Sequence, residues 1–159
     1  MSKKVVYAIL AVVVVIAVVA VGSLFLGRGT ASNANIDLQA LNTTLSSKPP
    51  FNEMATMDID SETLALAYEI NKEDVEEVIG KMPMMNVHAS MYLVIKAADG
   101  KVDAVKEKVE QYAAAQEEMW STYLPEQYAL VQNRKLGTVG NYVYLFISEN
   151  AAELEGLVK

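Results

Sequence analysis

From Val5 to Leu26 the chain runs 22 residues without a charge. No other feature narrows the outcome as much. As a helix rising about 1.5 Å per residue this run spans roughly 33 Å, against a hydrocarbon core of about 30 Å. Half of it is Val or Ile, which are poor helix formers in water. In lipid only a helix bonds every backbone group of a single span within itself. Lys3 and Lys4 precede the run and Arg28 follows it, so the excess of positive charge predicts a cytoplasmic N-terminus and an extracytoplasmic remainder. A cleaved signal peptide is the competing reading, with Ala20 and Gly22 near a marginal cleavage site. The run is longer than an ordinary signal core, and no Ala-x-Ala follows it, so an uncleaved anchor is the favoured reading.

This divides the chain into three parts. Residues 1–26 are expected to form a cytoplasmic stub and signal-anchor helix, with the single span at 5–26. Residues 27–35 ("GRGTASNAN") form a flexible tether, small and polar. Residues 36–159 form one extracytoplasmic domain. After Asn35 there are ten Lys and Arg against twenty Asp and Glu, a net charge of −10. That charge repels phosphate backbones and argues against nucleic acid, while leaving cations and basic peptides as partners. The chain has no cysteine, which removes disulfides, thiolate ligands, thiol catalysis and a lipidated cysteine. The domain is therefore held by its core alone.

Periodicity sets the expected elements. "IDLQALNTTL" reads as a short amphipathic helix closed by Pro49 and Pro50. Asp60 to Thr63 offer N-cap residues for a helix with Leu64, Ala67 and Tyr68 inward. Residues 72–82 fit a helix or a strand, with the strand preferred. In "ASMYLVIKA", Met91, Leu93, Ile95 and Ala97 share one strand face, and Tyr92, Val94 and Lys96 the other. Asp99-Gly100 marks a turn. Val102, Val105, Val109, Tyr112, Met119 and Tyr123 repeat at helical steps and predict the longest helix, bounded by Pro125. "ALVQNRKLGTVGNYVYLFISE" reads as two strands joined near Gly137–Gly140. Asn150 then opens a final helix with Glu153 at the capping-box position. The sum is an α+β fold: a transmembrane helix, then a small, mostly antiparallel sheet packed by a long amphipathic helix and shorter ones.

The segments "YEINKEDVEEV", "MPMMNVHASMYLVIKA", "DGKVDAVKEKVEQY", "YLPEQYALVQN" and "VGNYVYLFIS" occur in this order. Together they resemble the Domain of Unknown Function 4358 family, found in Gram-positive bacteria. The resemblance spans most of Ile36 to Lys159. It implies a small extracytoplasmic domain behind a membrane anchor or lipoprotein signal, and this chain has no cysteine for the second. It implies no activity, ligand or catalytic residue.

Four constellations merit chemical reading. Met82, Met84 and Met85 lie close to the only histidine, His88, and thioether with imidazole suits Cu(I). The alternative is that these methionines fill irregular core gaps. Adjacent carboxylates such as Glu76/Glu77 diverge on either a helix or a strand, and Asp58–Asp60 lacks the rest of a calcium loop. Ser90 and His88 have no third partner or oxyanion hole, so an unrecognised hydrolase is the third-ranked reading and catalytic residues are none. Tyr142, Tyr144 and Phe146 are either core or an interface. The favoured function is a non-enzymatic, cofactor-free module at the cell surface, binding a protein or envelope component. A small-molecule or copper binder using Met82–His88 comes second.

Overall fold

The computed structural model describes residues 35–159. The expected anchor and tether lie outside them. Among the described residues no helix is long and apolar enough to cross a membrane.

Helix α1 (Leu38–Ser46) starts where Asp37 Oδ1 accepts from the Ala40 N–H, and it buries Leu38, Leu41 and Leu45. Strand β1 (Thr56–Asp58) is only three residues long. Helix α2 (Ser61–Ala67) is capped by Asp60, whose carboxylate accepts from the N–H groups of Glu62 and Thr63. It buries Leu64, and Tyr68 just beyond it, but Ala67 faces solvent, contrary to expectation. Tyr68 ends the helix as its C-cap, and the turn closes when Ile70 N–H donates to Leu64 O.

After a single 3-10 turn (Lys72–Asp74) comes β2 (Val75–Pro83), so the preference for a strand at residues 72–82 holds from Val75 onward. Strand β3 (Met91–Ala97) follows across a seven-residue loop. Helix α3 (Val102–Ser121) buries Val105, Val109, Ala113 and Trp120. Met119 and Tyr123, expected inside, are exposed. The chain turns back after Ser121, and helix α4 (Pro125–Gln132) lies alongside α3. Trp120 is thus the aromatic that α3 buries there, its indole N–H donating to Gln116 Oε1 at 3.3 Å.

Helix α4 corrects the strand expected from Ala129. Pro125 occupies the first turn, where its missing N–H costs nothing, so it starts a helix as well as ending one. Strand β4 therefore begins only at Lys135 and runs to Val139. It turns at Gly140, φ +55°, into β5 (Tyr142–Ile147). Helix α5 (Ala151–Glu155) lacks the anticipated capping box. Asn150 makes no side-chain cap, and Glu153 instead pairs with Lys48 at 2.7 Å.

The sheet is antiparallel throughout, in the order β1-β2-β3-β5-β4. Alternation along β3 and β5 builds two cores. Leu93, Ile95, Val143, Leu145 and Ile147 face α2, α3 and α4 with Val109 and Trp120. Tyr92, Val94, Tyr142, Tyr144 and Phe146 face the other way, under α1, Phe51 and α5. Both central strands are consequently apolar on each face, the pattern of a strand covered twice.

Two glycines fit close approaches. A Cβ at Gly137 would lie 2.5 Å from the Tyr144 hydroxyl, so Tyr144 crosses the backbone of β4. Its hydroxyl then donates to Glu155 Oε1 at 2.7 Å. Gly80 sits beneath Ile59 and against the Tyr92 carbonyl.

Candidate functional site

The Met/His segment does not gather as one cluster. Met82 lies on β2 and packs against the α3-side core. Met84, Met85 and His88 are exposed in the β2–β3 loop. Met91 is buried, and Tyr68 Oη donates towards its sulfur at 4.0 Å. Two of the expected residues do meet. Met85 and His88 line a cleft of about 360 Å³ with Pro50, Glu53, Met54 and Ala55. Met54 stands 34 residues from His88 in the chain, so spacing alone did not reveal it.

Tyr142, Tyr144 and Phe146 are not an exposed interface. All three are buried, Phe146 completely, beneath α1 and α5. The Tyr142 hydroxyl accepts from Ile36 N–H at 3.2 Å and donates to Ile36 O at 3.3 Å, tying down the chain ahead of α1. Tyr92 donates to Asn42 Oδ1 at 2.7 Å, so the asparagine of the Asn42-Thr43-Thr44 sequence has a structural role. Burial raises the phenols of Tyr68, Tyr92, Tyr112 and Tyr144, because desolvation disfavours the charged form.

The perturbed carboxylates go the other way. The Thr63 N–H and hydroxyl hold Asp60 low, a hydrogen bond to Lys101 holds Asp74 low, and bonds from Lys159 and Tyr144 hold Glu155 low. Each is stabilised as an anion, the opposite of a tuned general acid. Ser90 is buried and His88 exposed, on a segment that precedes β3.

A second cleft, of about 370 Å³, runs beside β2 and was not anticipated. Gln39 and Asn42 of α1 form one wall, and Asp60 and Ser61 at the start of α2 form the other. Ile59, Val78 and Ile79 contribute apolar surface, while Asp58, Glu76, Glu77 and Lys72 bring charge. The cleft exists because β1 is short. It pairs only with Lys81, Met82 and Pro83, so β2 continues past its neighbour. Three acids here are engaged: Asp58 with Lys81 and Glu76 with Lys96, each at 2.7 Å, and Asp60 as the α2 cap. Glu77 accepts from Gln39 Nε2 at 3.2 Å and has no ion-pair partner among the described residues.

These features define a small α+β domain with a doubly covered antiparallel sheet and an acidic cleft along one strand edge. The chain belongs to the family described as Domain of unknown function (DUF4358), whose sequence model matches residues 51–148. The matched span contains all five strands and helices α2 to α4. Helices α1 and α5, which cover the second face, lie outside it. No curated protein and no solved structure matches the chain.

Proposed function

We propose that this chain is a single-pass, membrane-anchored protein of the bacterial cell surface. Its domain faces outward and works as a non-enzymatic interaction module. One observation carries the reading: 22 uncharged residues behind Lys3 and Lys4 lead into a domain of net charge −10. The described domain has an acidic cleft suited to contact with another chain, and its perturbed carboxylates are held as anions. Expressed in a Gram-positive host, the full chain stays with membranes through an alkaline carbonate wash. Deleting Val5–Leu26 moves it to the soluble fraction. Release of the intact chain by carbonate overturns the anchor.

Soft-metal binding is the second reading, and the shared cleft of Met54, Met85 and His88 favours it. Thioether and imidazole ligands suit a monovalent soft cation. Micromolar Ag(I), which needs no reductant, then raises the Tm of the full chain, because a ligand bound only to the folded state stabilises it. Met54→Leu and His88→Ala each abolish the rise. An unchanged Tm in the parent chain rejects this reading.

A further inference from the structure

Alternate residues of an antiparallel strand turn their N–H and C=O to opposite neighbours. On the β1 side of β2, Gly80 O accepts from Ile59 N–H at 2.9 Å, and Met84 N–H donates to Ala55 O at 3.0 Å. Even-numbered residues therefore address that side, and Val78 is the next in line. At Asp60 the chain leaves the sheet to start α2. Among the described residues no strand lies opposite Val78, and no backbone bond reaches its N–H or C=O from that side. The open stretch, Glu76 to Ile79, covers roughly 10 Å at about 3.3 Å per residue, room for a segment of about four residues. A bulge between Val75 and Glu77 closes one end of the edge, and Ile59 closes the other.

We infer that this edge of β2 takes an extended segment of another protein as a sixth strand, one in which apolar residues alternate with Lys or Arg. Main-chain bonds to Val78 supply affinity, and side chains on alternate faces supply selection. A residue opposite Val78 meets Val78 and Ile59, which are apolar. Its neighbour, on the opposite face, meets Glu77, which accepts from Gln39 and is the cleft's one acid with neither an ion pair nor a capping role among the described residues; Lys72, the cleft's one cation, precedes the bulge and lies outside the open stretch. Opposite charges facing one another across a ladder stabilise it, and like charges destabilise it. The same rule disfavours a second copy of this chain, since two acidic edges on domains of net charge −10 would meet.

This inference rests on the reading of the domain as an interaction module, but its test is independent of membrane placement. The full chain in detergent is titrated with the labelled peptide acetyl-Lys-Val-Lys-Val-amide, whose length matches the open stretch. Controls carry Glu in place of both lysines, or N-methyl groups on alternate residues. We expect saturable binding of the lysine peptide, at least tenfold weaker for the glutamate and N-methylated forms. Val78→Pro removes the outward N–H, at an edge position where proline is tolerated, and weakens binding at least tenfold with an unchanged circular dichroism spectrum. Glu77→Lys, a surface change, inverts the preference between the lysine and glutamate peptides. Undetectable binding of the lysine peptide, equal binding of the N-methylated one, or Glu77→Lys without effect overturns the inference. So does sedimentation showing a dimer that Val78→Pro dissolves, which gives the edge to a second copy.

Discussion

Replacing Phe146 by alanine lowers the unfolding free energy by about 3–5 kcal/mol, the range for a fully buried aromatic in a core that cannot collapse around the gap. Phe146 is fully buried on β5, directly opposite Tyr92 on β3 and Lys135 on β4. Its ring stacks on Tyr144 with centroids 5.5 Å apart. It shares a core with Leu41, Leu45, Phe51 and Leu154, drawn from segments on both sides of the sheet region in sequence. Strand β5 is held by β3 and β4 on its two sides, so the backbone has little freedom to close the cavity. Urea unfolding checks this through a lower midpoint at constant slope. Met84→Ala, on an exposed side chain, stays within about 0.5 kcal/mol of the parent and serves as control. A loss under about 1 kcal/mol at Phe146 would mean that α1 and α5 do not cover this face.

Gly80→Ala destabilises by about 1–3 kcal/mol, the cost of overpacking a well-filled site. The added Cβ would lie 2.8 Å from the Tyr92 carbonyl oxygen, with Ile59 carbons at 3.0 and 3.1 Å. The carbonyl belongs to the neighbouring central strand and cannot rotate away. The sign is diagnostic. Glycine to alanine at an unstrained site stabilises by about 0.4–1 kcal/mol through the unfolded chain. A stabilised variant would show that Ile59 does not seat over Gly80 and that the cleft beside β2 has a different end.

The parts legible in the sequence are those set by local pattern. The opposed faces of β3 follow from strict alternation and appear as read, with Met91, Leu93, Ile95 and Ala97 in one core and Tyr92 and Val94 in the other. The α3 stripe holds from Val105 to Tyr112, then departs at Met119 and Tyr123. There burial depends on α4, and Pro125 reads equally as a stop or a start. Strand β1 has no local signal, since three residues become a strand only through their pairing with β2. The cover on the second face was equally hidden. It comes from helices over a hundred residues apart in the chain, and this decides that Tyr142, Tyr144 and Phe146 are core. The candidate site was illegible for the same reason. Whether a strand lies at an edge is a property of sheet order, and the cleft arises because β1 ends before β2 does.

We propose that the acidic domain lies outside the cell, held there by the apolar leader. The most direct measurement of this placement is proteinase K digestion of intact, unbroken cells producing the full chain with a C-terminal epitope. The expected result is loss of the epitope from intact cells while a cytoplasmic marker protein survives. An epitope that persists in intact cells and disappears only after lysis would contradict it.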